Sequence, residues 1–310
     1  MPRPLTLGQQ VPWGHFDGPS DVPPLDGKRF VITGAGRGIG YHAAIGLAQR
    51  GANVTCICRI GERESEMNYL SLSHMVGLNS GKLDVIWADL ADPQCVRLVA
   101  DTINARGEPV DCLINNAAIQ TPGVRWLLDD GREKQMRVNY MSHFALTGLL
   151  MPSLLKSKEP RVVNVSSLSA WRGSLTWDGV FDFANSKNYR RKAVRFYDDS
   201  KLAQLAFTKE LARRYPQVTS VATHPGFVET LLAPFNVLVK HVSMYAEEGA
   251  RLPLAAATLP GVQSGSYVGP TLVLRGSPSP FHAWYPPQAT REDVGKRLWE
   301  ASVAETGVDY

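Results

Sequence analysis

The chain has 310 residues, of which 44% are hydrophobic and 20% charged, with a formal net charge of +4. That length allows one large α/β domain or two small ones, and the composition is that of an ordinary globular protein. The slight charge contains no long basic block, which argues against nucleic acid as a partner, and no apolar run approaches the length needed to cross a bilayer.

Cys56, Cys58, Cys95 and Cys112 show no metal-ligand spacing. Reduced thiols, no metal and a soluble cytoplasmic protein are therefore expected. Residues 1–27, rich in Pro, Gly and Asp, lack an apolar signal core. They read as an extended arm that wraps the domain or is partly disordered. Residues 28–310 read as the domain itself.

Lys28 to Thr33 is a short apolar run that suits a buried strand. The turn Gly34, Gly36, Arg37, Gly38, Ile39, Gly40 follows, and then a helical pattern from Tyr41 to Arg50. Strand, glycine turn and helix in that order predict a dinucleotide site, because glycines admit a pyrophosphate and a helix N-terminus presents free N–H groups. Asn53 to Cys58 is the second strand. The acid that would bond the ribose 2′-hydroxyl of NAD is missing there. Cys58 takes its place, with Arg59 next to it and Arg37 in the turn. Two guanidiniums favour a 2′-phosphate, and hence NADP(H).

Glu62 to Val76 reads as a polar helix and Leu83 to Trp87 as a strand whose end sets Asp89 and Leu90 against an adenine. A helix follows Pro93, and a fourth strand, Val110 to Asn115, runs into Asn116 and Ala117. Trp126 to Met151 reads as one long helix carrying Asn139, and Arg161 to Ser167 as a fifth strand ending in hydroxyls. Residues 168–196 are irregular, with Trp171, Trp177, Phe181 and Phe183 among polar residues and a basic end from Lys187 to Arg195. These aromatics serve either as packing for a long loop or as a pocket wall. An amphipathic helix follows. Its Tyr197 and Lys201 are four positions apart and share a face. An ammonium there would favour the phenolate and lower the tyrosine from its ordinary value of about 10. Gln217 to Thr223 is the sixth strand, followed by Pro225 and Gly226. Residues 227–260 form an apolar lid, helical from about His241. A strand near Ser266 to Val268 and a helix from Arg291 to Thr306 close the chain. Alternating strand and helix predicts a single Rossmann-type, doubly wound parallel sheet with helices on both faces, its ligands at the carboxyl ends of the strands.

In this ordered set of motifs the chain resembles the short-chain dehydrogenase/reductase family. The glycine turn, Asn115 to Ala117, Asn139, Ser167, Tyr197 and Lys201 match its motifs. The long connection before Tyr197 and the ending Arg297 to Ser302 are similar to the retinol-dehydrogenase-like branch. The resemblance implies that Ser167 holds a substrate oxygen beside Tyr197 and that Tyr197 is the general acid/base. It implies that Lys201 tunes Tyr197 and bonds the nicotinamide ribose, and that Asn139 holds a relay water. Pro225, Gly226, Val228 and Thr230 would contact nicotinamide. Ser166, beside Ser167, is the rival for the serine role. The function expected is NADP(H)-dependent interconversion of a carbonyl and an alcohol on an apolar substrate. An NADP-sensing binding protein and a C=C reductase are the alternatives, and a homo-oligomer is left open.

Overall fold

In the computed structural model, residues 16, 18–59, 81–121, 126–177, 195–228, 244–272, 278–279 and 283–310 are described. Their sheet runs β3-β2-β1-β4-β5-β6-β7-β8. The strands are β1 (Arg29–Thr33), β2 (Asn53–Cys58), β3 (Leu83–Trp87), β4 (Cys112–Asn115), β5 (Arg161–Val165), β6 (Thr219–Thr223), β7 (Ser266–Pro270) and β8 (Pro278–Ser279). The first seven pair in parallel and β8 closes the edge antiparallel to β7. The chain reverses its winding between β1 and β4, which opens a crevice above their carboxyl ends.

Helices cover both faces, and the strands show it. Phe30 and Ile32 of β1 join one core with Val54, Cys56, Ile114, Val163 and Val221. The alternate residues Val31, Leu113, Val162 and Ala222 join the other. The first core is capped by α1 (Gly38–Gln49) and α5 (Ala246–Thr258), which pack on each other. The second is capped by α2 (Pro93–Asn104), α3 (Ser142–Leu154), α4 (Phe196–Arg214) and α6 (Glu292–Thr306). Burial on both sides is why these strands read as continuous apolar runs.

Two expectations change. Trp126 to Met151 is not one helix. Leu127 bridges Glu133 across a turn through Asp129, Asp130 and Gly131, residues that favour turns over helix. Glu133 then caps the new helix by accepting from Met136 N at 2.8 Å. That helix is Lys134–Met136, widening to a π-helical Arg137–Met141 before α3. The second change is α4, which is not an amphipathic surface helix: every residue from Lys201 to Thr208 is buried. The described part of the arm is packed, with Phe16, Val22 and Leu25 in the α1 core. The helix expected from Glu62 to Val76 lies outside the described residues.

Candidate active site

Two close approaches shape the crevice. Gly34 has φ +68°, and a Cβ there would meet Ala117 Cα at 2.8 Å. At Gly40 a Cβ would meet Gly34 O at 2.3 Å and Asn116 Nδ2 at 2.4 Å. Only glycine lets the turn lie this close to the end of β4. The two segments are tied together: Thr33 Oγ1 accepts from Asn116 N and Ala117 N, both at 2.9 Å, and Asn116 Nδ2 donates to Thr33 O at 2.8 Å. Arg37, which precedes α1, makes no side-chain cap bond. The first-turn N–H groups of α1 are thus available to an anion.

A cleft of about 500 Å³ lies here. Its wall carries Gly34, Gly36, Arg37, Gly38, Ile39 and Gly40 from the turn, and Cys58 with Arg59 from the end of β2. Asp89 and Leu90 follow β3, Asn116 and Ala117 follow β4, and Ser166, Tyr197, Lys201 and Pro225 lie on it too. Bare glycine backbone, open N–H groups and two guanidiniums fit a dinucleotide bearing an extra phosphate. Val228 behaves differently. It is buried and bridges Met244, and a Cβ on Gly249 would meet its Cγ2 at 2.6 Å, so it docks the start of the lid on α5. Gly226 N donates to His224 Nδ1 at 3.3 Å. Thr230 lies outside the described residues.

The candidate catalytic residues lie on the other side. Ser166, on the cleft wall, donates its Oγ hydrogen to Lys201 O at 2.8 Å. Ser167 Oγ accepts from Ser169 N at 3.2 Å, and the Ser167 side chain acts to lower the Tyr197 hydroxyl. The π-helical turn carries Asn139, a common setting for functional groups. Its Oδ1 accepts from Ile119 N at 2.8 Å, and its Nδ2 donates to Ile119 O and Ser200 Oγ, both at 3.0 Å. Both amide hydrogens are used on protein, so Asn139 braces the β4 exit against α4.

The expected lowering of Tyr197 is not found. Burial pushes its hydroxyl up to about 12, against a lowering by the Ser167 side chain, and the neighbouring Asp198 carboxylate adds to the rise. Lys201 does not offset this. Its Nζ lies 5.5 Å from the Tyr197 ring centroid and donates to Val165 O at 2.8 Å and Gln204 Oε1 at 2.9 Å. Burial lowers Lys201 itself to about 7, which weakens the very charge the expectation relied on.

Several contributors escaped the sequence reading. Arg172 lies in the 3₁₀ turn Leu168–Arg172 and pairs with Asp198, and Asp199 Oδ1 accepts from Ser174 N at 2.7 Å. His143 is buried and held neutral at about 3, first by burial and then by the Lys201 charge. Only the short Asp-Asp pair before Ser200 hinted at any of this in the sequence. Of the insertion aromatics, Trp171 is exposed, and Trp177 packs on the core under the Arg297 guanidinium, 4.9 Å away. Neither borders the cleft, and Phe181, Phe183 and the basic stretch from Lys187 to Arg191 lie outside the described residues. No described helix is long and apolar enough to cross a membrane.

The comparisons with known proteins agree with this geometry. The family model described as short chain dehydrogenase matches residues 28–179. Human Retinol dehydrogenase 13 is 34% identical over 308 residues, covering 92% of this chain and 86% of that protein. Human Retinol dehydrogenase 12 is 33% identical over 304 residues, covering 92% and 88%. The crystal structure of an uncharacterized protein from Mycobacterium Paratuberculosis matches with a TM-score of 0.76 at 32% identity, over 94% of this chain and 98% of that one. The chain belongs to the short chain dehydrogenase family of oxidoreductases. Within that family it falls in the retinol-dehydrogenase-like branch.

Proposed function

We propose that this chain is an NADP(H)-dependent enzyme that interconverts a ketone or aldehyde with its alcohol on an apolar, ring-containing or lipid-like substrate. The observation that carries the reading is Tyr197 on the wall of the cleft, one turn before a buried Lys201 on α4, with Arg37 and Arg59 on the same wall. The choice of NADP(H) over NAD(H) rests on those arginines and on Cys58 standing where an acid would be.

The cofactor would supply the hydride. The protein's own groups manage the oxygen and the proton. Ser167 donates a hydrogen bond to the substrate oxygen and holds it against the Tyr197 hydroxyl. Tyr197 gives that oxygen a proton as carbonyl becomes alcohol, and takes it back in the reverse direction. Raised to about 12, Tyr197 keeps its proton at neutral pH, as an unperturbed tyrosine also does. Asn139, through Ile119 and Ser200, keeps the floor of the site fixed against α4.

The test is consumption of NADPH, and separately of NADH, against a panel of small and large apolar carbonyls that includes retinal. Turnover of large carbonyls with NADPH supports the reading. Cofactor binding without turnover of any carbonyl or alcohol would point instead to a sensing protein.

A further inference from the structure

Lys201 is a fully buried ammonium, and such a group needs acceptors for its three N–H bonds. One is the β5 carbonyl of Val165, 2.8 Å away. The other is a side chain, Gln204 Oε1, at 2.9 Å. Gln204 is 0% exposed and sits one turn after Lys201 on α4. A glutamine inside a packed helix is costly unless both ends of its amide are used.

The far end of that amide lies beside His143 of α3, with Nε2 and Nδ1 3.3 Å apart, a packing contact between two donors because Nδ1 carries its hydrogen toward Asn139 O. His143 is itself fixed. Thr33 Oγ1 already accepts two backbone N–H groups, so its own hydrogen goes to His143 Nε2 at 2.9 Å. His143 Nδ1–H then donates to Asn139 O at 2.9 Å. The imidazole is thus a rigid wall running from the turn of the cleft to the π-helical turn. Gln204 cannot reverse its amide without setting NH₂ against the Lys201 ammonium. Its oxygen is therefore locked toward Lys201.

We propose that Gln204 is a positioning residue for the proposed carbonyl–alcohol chemistry: its buried Oε1, packed beside His143, fixes the direction and charge of the Lys201 ammonium beside Tyr197. This rests on the functional reading above. The ionisable groups facing Lys201 are Tyr197 on its own helix and His143 from α3. Gln204 is the neutral acceptor set beside them.

Two variants of the full chain test it. Gln204→Met keeps the volume and removes the acceptor, whereas Gln204→Glu keeps an oxygen at the same reach. Each is read by steady-state kinetics, by its melting curve and by ¹⁵N NMR titration of the Lys201 ammonium. Gln204→Met is expected to lower kcat by about 10²-fold, as a misplaced catalytic group does, with little change in the KM of the carbonyl. It is also expected to move the Lys201 titration to lower pH. Gln204→Glu should restore most of kcat and move the titration to higher pH. The inference is overturned if Gln204→Met folds and keeps the wild-type titration, or if both variants lose kcat equally. The NMR arm needs no turnover. A wild-type chain that reduces no carbonyl therefore defeats the functional reading alone, and an unmoved Lys201 defeats this one alone.

Discussion

Arg172 grips Asp198 with two parallel bonds, Nε to Oδ2 at 3.0 Å and Nη2 to Oδ1 at 3.1 Å. This pair ties the turn that follows Ser167 to the first turn of α4, which carries Tyr197. It also trims the site electrostatically, because Asp198 raises the Tyr197 hydroxyl and Arg172 lowers it. Arg172→Ala should therefore leave a buried carboxylate beside Tyr197 and push the hydroxyl further up. The guanidinium is largely exposed, but the carboxylate it leaves is buried and loses a paired partner, so the stability loss should be about 1–3 kcal/mol. A lowered kcat in a variant that still folds, with a modest drop in its melting temperature, is the expected result. Arg172→Lys should restore little, since one ammonium cannot make the paired bond.

Tyr197→Phe removes the proton and keeps the ring. Loss of a positioned acid or base costs about 10²–10⁴-fold, and the loss should appear in kcat while NADPH affinity stays nearly the same. Steady-state kinetics paired with cofactor titration checks both halves. A Phe variant with most of its rate would mean that the proton comes from elsewhere.

Arg37→Ala with Arg59→Ala should raise the KM for NADPH far more than that for NADH. Each charge-assisted bond to phosphate contributes about 1.5–3 kcal/mol. Equal changes for the two cofactors would return both arginines to the role of surface residues.

His143 and His224 are buried and kept neutral, pushed down by burial to about 3 and about 4. In the unfolded chain each would gain a proton near 6.5. Between these values the unfolded state binds more protons, so unfolding free energy rises with pH and is lost as pH falls. Buried Glu133, raised by desolvation, works in the opposite sense near the carboxylate range. The urea midpoint should therefore fall between about pH 7 and about pH 5, with each histidine contributing up to about 1.4 kcal/mol per pH unit. His143→Gln should flatten part of that slope.

The sequence by itself determined the parts of this protein that are local. Strand β1, the glycine turn and α1 were legible because periodicity, glycine spacing and helix start all fall within one stretch of chain. The same holds for Cys58 in place of an acid, and for Tyr197 and Lys201 on one helical face. Tertiary structure decided what depends on neighbours distant in the chain. The Ser166 hydroxyl found its acceptor in the α4 backbone at Lys201 O, 35 residues away in the chain. The state of Tyr197 turned on burial, which overrode a lysine whose own charge the interior weakens. Trp126 to Met151 broke because the Asp-Asp-Gly turn and the Glu133 cap outweighed its apolar spacing. Gln204, His143 and Arg172 gain their meaning only where α3, α4, β1 and the turn after β5 meet, because a hydrogen bond is set by position in space and not by order in the chain.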